Sequence, residues 1–94
     1  MDYWRVTFTG GTGESADISV KLDGNEVHPE TDTSLPWNVI VVGHPTGTVD
    51  AHAARNDAGQ TGTLKAEIFF QTTSLASDTD TGAAAVVDCS ATRP

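Results

Sequence analysis

The stretch S-A-D-I-S-V-K-L, residues 15 to 22, alternates polar and apolar side chains at every position. The apolar side chains share one face of an extended chain: Ala16, Ile18, Val20 and Leu22. A period of two is typical of a β-strand with one buried face. Asp23 and Gly24 follow and tolerate positive φ angles, so the sequence predicts a tight hairpin turn after this strand.

The same alternation recurs along the chain, and no stretch keeps an apolar helical period. It predicts further strands at Tyr3 to Phe8, around Val27, and at Trp37 to Val42, Thr48 to Ala54, Thr63 to Gln71 and Ala83 to Ser90. The polar segment Thr72 to Gly82 is interpreted as a connection, and Ala91 to Pro94 as a frayed end.

Two segments in the middle of the chain have distinct compositions. Trp37 to Val42 is almost continuously apolar, which favours a central strand covered on both faces or a strand at a sheet corner. Pro29 and Pro36 cannot donate to a sheet ladder, so Thr31 to Ser34 between them is predicted to be a loop or an edge.

About seven short strands in 94 residues are typical of an immunoglobulin-like two-sheet β-sandwich, with a small barrel as the alternative. The predicted class is therefore all-β. Two hydrophobic cores would each have too few residues to offset chain entropy. We therefore expect residues 1–94 to form one domain.

Charge and hydropathy limit the partners of the chain. Five basic and thirteen acidic residues give a net charge of −8, which repels phosphate backbones and anionic lipids. Nucleic acid is therefore not an expected partner. No apolar run approaches the ~20 residues that cross a bilayer, and residues 1–3 lead into a strand without a signal-peptide pattern. We expect no membrane span in this chain, and any anchor would lie outside it.

No motif in the sequence predicts catalysis or a cofactor. Asp78-x-Asp80-x-Gly82 resembles the start of a calcium loop, but Cys89 stands where such a loop needs its bidentate glutamate. Asp78 and Asp80 are thus weak candidate ligands, and a solvated acidic turn is the simpler interpretation. The three histidines fall on separate segments: His28, His44 and His52. No G-x-S-x-G motif occurs, and nothing in the sequence places a serine beside a histidine and an acid.

Cys89 is the only cysteine, so it cannot form a disulfide within the chain. It shares an apolar face with Ala85 and Val87, which favours a buried structural thiol over a reactive one. On the predicted outer faces, Phe69 and Tyr3 are aromatic residues that could contribute to a binding patch if they cluster.

Four ordered pieces of sequence resemble the soluble domain of the MmpS family, accessory proteins of MmpL lipid and siderophore exporters in mycobacteria and related actinobacteria. The pieces are V-T-F-T-G at residues 6–10, A-D-I-S-V at 16–20, S-L-P-W at 34–37, and G-A-A-A-V-V-D-C-S at 82–90. Pro36 and Trp37 lie in the L-P-W motif that opens an apolar strand. Together the pieces extend over nearly the whole chain.

The resemblance implies an extracytoplasmic β-sandwich with no catalytic residues, held to the cell envelope by an N-terminal helix that we do not expect within this sequence. Family members typically carry a second cysteine in the strand before the last, within a G-x-L-x-C-x-I context. Here Gly62 to Ile68 reads G-T-L-K-A-E-I, so Ala66 stands in the cysteine position. The resemblance therefore implies that Cys89 has lost its disulfide partner, and that Ala66→Cys would restore the bridge.

Two functional hypotheses follow. The first is a non-catalytic, extracytoplasmic accessory domain that contacts a membrane transporter, or its cargo, through a sandwich face or an edge strand. The alternative is a secreted ligand-binding sandwich, lectin-like or calcium-dependent, whose site lies on the acidic segments Thr31 to Ser34 and Asp78 to Gly82.

Overall fold

Eight antiparallel strands form two packed sheets in the computed structural model, which describes residues 2–11, 13–57 and 59–94. The strands are β1 (Tyr3–Thr9), β2 (Ser15–Leu22), β3 (Asn25–Ser34), β4 (Trp37–Val42), β5 (Gly47–Ala54), β6 (Thr63–Phe70), β7 (Thr73–Thr81) and β8 (Val86–Arg93). The first sheet has the order β4-β1-β6-β7, and the second has the order β3-β2-β5-β8. The predicted two-sheet β-sandwich is confirmed, with one strand more than expected.

Three positions, Met1, Thr12 and Ala58, lie outside the described residues. The predicted domain, residues 1–94, includes these three positions, and the interpretation of residues 1–3 as having no signal-peptide pattern includes Met1. Among the described residues, no helix is long and apolar enough to cross a membrane.

The core lies between the inner faces of the two sheets, where the alternating apolar side chains of each strand point. On the first sheet these include Trp4, Val6, Phe8, Leu64, Ala66 and Ile68, all fully buried. On the second sheet they include Ala16, Ile18, Val20, Val49, Ala51, Ala53 and Val87. Hence the inward faces predicted for β1, β2, β5 and β6 are confirmed.

The turn between β2 and β3 follows the prediction. Asp23 and Gly24 have φ angles of 52° and 82°, so both central residues occupy the left-handed region that a type I′ hairpin requires. The Asp23 carboxylate also accepts the backbone N–H of Thr48 at 2.9 Å, which ties this turn to the start of β5.

The predicted central position of Trp37 to Val42 is wrong, because β4 is an edge strand of the first sheet. Val39 and Val41 pack against the core, whereas Ile40 and Val42 are 53% and 54% exposed. Apolar residues on both faces usually indicate a strand buried on both sides. Here one of those faces is open to solvent.

Other differences concern the acidic segments and the C-terminal end. The predicted polar connection Thr72 to Gly82 instead contains β7, which pairs with β6 along its length. The last strand begins at Val86 rather than Ala83 and continues to Arg93. The predicted fraying of Ala91 to Pro94 is therefore wrong, since Ala91 is 8% exposed and pairs with Val49. Thr31 to Ser34 belongs to the edge strand β3, one of the two predicted alternatives.

Candidate functional site

The sandwich has two long sides, each formed by one edge strand from each sheet. We call the side with β7 and β8 the closed side, and the side with β3 and β4 the open side. The unpaired backbone groups of an edge strand can pair with another chain unless something blocks them. The two sides differ in how these groups are satisfied.

On the closed side, two carboxylates bridge the free edges of both strands. Asp80 accepts the backbone N–H of Val86 on β8 at 3.0 Å and that of Thr81 on β7 at 2.9 Å. These hydrogen bonds stabilise the ionised form, so they hold the pKa of the Asp80 carboxyl below its usual value.

Asp78 repeats this arrangement two residues earlier. It accepts the N–H of Asp88 on β8 at 2.9 Å and that of Thr79 on β7 at 3.0 Å. Both candidate metal ligands of the sequence are therefore occupied by backbone donors. Within the described ranges, no group of three or more His, Cys, Asp or Glu residues could hold a metal ion.

The structure does not bring the three histidines together. His28 lies on β3, where its ring centroid is 5.9 Å from that of Trp37, and His52 lies on β5. His44 lies between β4 and β5, where its carbonyl oxygen accepts the indole N–H of Trp4 at 2.7 Å. The acidic segments of the alternative hypothesis are also separated, because β3 and β7 lie on opposite sides of the sandwich.

The free edge on the open side belongs to β4. The N–H of Gly43 donates to the carbonyl of Asp2. In an antiparallel ladder, every second residue of a strand bonds to the neighbouring strand, so Val41 and Val39 also bond to β1. The backbone groups of Asn38, Ile40 and Val42 therefore face outward. β4 has no charged residue and no proline, and its pairing with β1 has no register shift.

The neighbouring edge, β3, is blocked in ways that natural edge strands commonly use. It contains Pro29, and its pairing with β2 is interrupted by two register shifts. Asp32 has a φ of 52°, which interrupts the extended backbone. Three acidic residues are exposed along it: Glu26, Glu30 and Asp32.

Beside β4, the outer face of the first sheet carries a patch that we call the β4 patch: Tyr3, Arg5, Ile40, Val42 and Phe69. Arg5 is opposite Ile40 on one side and Phe69 on the other, and its guanidinium carbon lies 5.2 Å from the Phe69 ring centroid. Tyr3 is opposite Val42. The two aromatic residues noted in the sequence thus lie in one patch, whereas Ile40 and Val42 were missed because they were expected to be buried.

Trp37 and Pro36 have structural positions at the start of β4. The Leu35-Pro36 peptide bond is cis, and Leu35 is buried. The Trp37 ring centroid lies 5.9 Å from that of Phe8 in the core. These residues connect the blocked edge β3 to the free edge β4.

Ala66 and Cys89 lie opposite each other across the two sheets. The Cys89 thiol donates to the carbonyl oxygen of Ala66, with Sγ and O 3.9 Å apart. Burial raises the pKa of the Cys89 thiol to about 11, helped by the negative charges of Asp78 and Asp88. A thiol with this pKa is a poor nucleophile at neutral pH.

One charged group that the sequence did not single out is a buried arginine. The Arg55 side chain is fully buried and pairs with Glu14 at 2.6 Å, while its other terminal nitrogen donates to the carbonyls of Gly62 and Gly82 at 2.6 and 2.8 Å. Glu14 also accepts the N–H of Gly11 at 2.9 Å. The ion pair therefore joins three strand connections at one end of the sandwich.

The outer face of the second sheet places Ser19, His52 and Asp88 in a row across β2, β5 and β8. Local sequence did not predict this juxtaposition, which forms part of a shallow concavity of about 380 Å³. The Ser19 hydroxyl, however, donates to Glu26 at 2.7 Å, which directs its proton away from His52. An oxyanion hole would also need free backbone N–H groups, but those of β2 and β5 beside this row are used in strand pairing.

Compared with known proteins, the chain matches no family model and no curated protein at a significant level.

Proposed function

We propose that this chain is a non-catalytic protein-recognition domain that binds by adding an extended strand of its partner to β4. The observation that carries the proposal is the difference between the edges of the two sheets. Aspartates bridge the edges of β7 and β8, and register shifts interrupt the edge of β3. By contrast, β4 has no charged residue, and its pairing with β1 has no register shift.

Strand addition would use both the backbone and the side chains of β4. The outward backbone groups of Asn38, Ile40 and Val42 would continue the ladder, and such main-chain hydrogen bonds are the usual source of affinity in this mode. The β4 patch would then cover the apolar side chains of the added strand. Specificity comes from these side-chain contacts.

The class of partner follows from the resemblance to the MmpS family. We propose that the domain lies outside the cytoplasmic membrane and assists an MmpL-type exporter of lipids or siderophores. The ordered motifs from Val6 to Gly10 and from Gly82 to Ser90 support this assignment. Under it, the added strand belongs to the transporter or to another envelope protein.

Photo-crosslinking in native cells tests this proposal. Benzoylphenylalanine is introduced at Asn38 on the open side and, as a matched control, at the exposed Thr79 on the closed side. We expect an adduct with a transporter, identified by mass spectrometry, from position 38 and not from position 79.

Substitutions at Ile40 separate edge pairing from general surface contact. Ile40→Pro removes an outward N–H without removing a ladder bond to β1, so the fold is retained while pairing is blocked. Ile40→Thr keeps the N–H and β-branching. We expect the adduct to persist with Ile40→Thr and to disappear with Ile40→Pro, and Val42→Pro provides a second blocking variant. Equal adducts from positions 38 and 79, or no adduct, would contradict the proposal.

A further inference from the structure

The charge of this acidic chain is divided unevenly between the outer faces of the two sheets. Within the described strands, the outer face of the first sheet carries two cations and one carboxylate: Arg5, Lys65 and Glu67. The two aspartates of β7 point the other way, toward β8. The outer face of the second sheet carries five carboxylates and one lysine: Asp17, Glu26, Asp32, Asp50, Asp88 and Lys21. The free edge of β4 therefore borders a face with an excess of positive charge.

Arg5 is the charged residue of the β4 patch, and it has no ionic partner among the described residues. Its side chain is half-buried, and its Nε atom is buried without a hydrogen-bond partner in that part of the chain. The carboxylate on the same face, Glu67, pairs with Lys65 at 3.3 Å and accepts the Ser74 hydroxyl at 2.6 Å. The contact of Arg5 with the Phe69 ring leaves the in-plane N–H groups of the guanidinium available to donate.

Strand addition to β4 would bring new side chains close to Arg5. Arg5 and Ile40 are opposite each other, so an outward side chain added opposite Ile40 would extend the same row. It would lie two strand spacings, about 10 Å, from β1, and a glutamate and an arginine are long enough to meet above Ile40. Removing a guanidinium from water without an acceptor is unfavourable, whereas an arginine–carboxylate pair forms charge-assisted hydrogen bonds. A carboxylate is therefore the side chain that suits this row.

The inward face of an added strand would meet a different surface. Trp37, Val39 and Val41 point inward from β4 and are only partly buried against the core. On β3, Glu30 is opposite the buried Ile18, so its side chain is on the face that looks toward the first sheet. Apolar residues suit this inward face, and a carboxylate there would approach Glu30. Hence a carboxylate is favoured on the outward face alone.

A second copy of the chain does not supply the missing carboxylate. If β4 paired with its copy, the added strand would be W-N-V-I-V-V, which contains no acidic residue. Arg5 would remain without an ionic partner in both copies. Each molecule also carries a net charge of −8, and like charges oppose association.

We infer that the partner strand carries a glutamate or aspartate on its outward face, opposite Ile40, where the carboxylate pairs with Arg5, and apolar residues on its inward face. This inference rests on the proposed strand addition to β4 and names the chemistry of its partner. It makes Arg5 a residue that determines specificity, and it gives an acidic domain an acidic partner segment.

Three capped nine-residue peptides of sequence T-V-T-V-X-V-T-V-T test the inference, with glutamate, glutamine or lysine at X. Valine suits the inward face, so X points outward, and the symmetric sequence presents the same pattern in either strand direction. Binding to the ¹⁵N-labelled chain is measured by NMR titration at physiological ionic strength, where charges more than about 8 Å apart are largely screened.

We expect the glutamate peptide to bind about threefold more tightly than the glutamine peptide, and the lysine peptide to bind most weakly. The largest shifts should occur at the amides of Asn38, Ile40 and Val42. The net charge of the chain by itself favours the opposite order, so this order reports the local effect of Arg5.

Variants of the two cations on the outer face of the first sheet locate the effect. Arg5→Gln should remove the preference for glutamate over glutamine, and Arg5→Lys should keep most of it. Lys65→Gln removes the same charge from β6, where Lys65 is opposite Thr9, and should leave the preference nearly unchanged. Equal loss in Arg5→Gln and Lys65→Gln would overturn the role of Arg5.

The outcomes distinguish this inference from the proposed function. If all three peptides bind β4 equally, or lysine binds best, the acidic partner is wrong while strand addition stands. If no peptide shifts the β4 amides, the acidic partner is also wrong, and crosslinking at Asn38 decides the proposed function separately. A dimer in sedimentation equilibrium that Ile40→Pro abolishes would identify a second copy as the occupant and overturn the inference.

Discussion

Arg55 connects several distant parts of the chain through one guanidinium group. It bonds Glu14 and two carbonyl oxygens while its side chain has no solvent exposure. A buried ion pair is costly to break from one side, because the remaining charge stays buried without its partner. A single arginine after an alanine-rich strand has no sequence signal that distinguishes it from a surface arginine.

Arg55→Met should lower the free energy of unfolding by about 3–5 kcal/mol, because it leaves the Glu14 carboxylate without its partner. Urea denaturation monitored by tryptophan fluorescence measures the change. Lys65→Met is the matched control, since the Lys65–Glu67 pair is partly open to solvent, at 42% and 21% side-chain exposure, and should contribute less than about 1 kcal/mol. Equal losses in the two variants would contradict the structural role of Arg55, and Glu14→Leu should partly rescue Arg55→Met.

The strands show which parts of the fold could be predicted and which could not. β2, β5 and β6 have one buried and one solvated face, so alternation of side chains predicted them. β7 was missed because Asp78 and Asp80 occupy alternate positions where apolar residues would signal a strand. β4 was placed centrally because its apolar residues lie on both faces, and only the strand order shows that one face and one edge are free.

The bridging carboxylates lead to a pH prediction for the closed side. Because the folded-state pKa of Asp80 is lowered from 3.8, its contribution to stability is present above that pH and is lost as the pH falls through the folded value. Asp80→Ala should therefore lower the urea midpoint at pH 7 and have little effect near pH 2.

Urea titrations of wild type and Asp80→Ala at several pH values between 2 and 7 measure this difference. Asp57→Ala is the control, since Asp57 is exposed and lies away from the edges of both sheets. A constant difference in the midpoint across the whole pH range would show that the Asp80 carboxylate does not act through its ionised form.

At the scale of the whole molecule, the arrangement of the sheets determines which residues meet. The proposed binding side joins β3 and β4, which are consecutive in the chain but belong to different sheets. Sequence patterns describe single strands and do not specify the order of strands in a sheet. The separation of the two acidic segments, and the row formed by Ser19, His52 and Asp88, therefore became visible only in the structure.

The facing positions of Ala66 and Cys89 predict a disulfide across the sheets. Ala66→Cys should form a bridge with Cys89 under oxidising conditions and stabilise the fold by about 2–4 kcal/mol. Diamide is a suitable oxidant, because a thiol with a pKa of about 11 oxidises slowly by itself at neutral pH.

The bridge is detected by mass spectrometry and by a higher melting temperature that returns to its initial value on reduction. Ala53→Cys is the control, since Ala53 is buried on β5, where it pairs with Val87 rather than Cys89. Failure of Ala66→Cys to form a bridge would contradict the packing of β6 against β8.

The aspartates that bridge β7 and β8 also limit the size of any assembly. A molecule with two open edges can bind a copy at each end and grow into a fibre, as happens when contacts between subunits do not close. Here a strand that pairs with β4 would occupy the regular edge, and Asp78 and Asp80 occupy the backbone N–H groups of Thr79, Thr81, Val86 and Asp88 on the closed side. Under the proposed strand addition, these bonds disfavour a second strand at that part of the closed side, and we expect a complex of one-to-one stoichiometry.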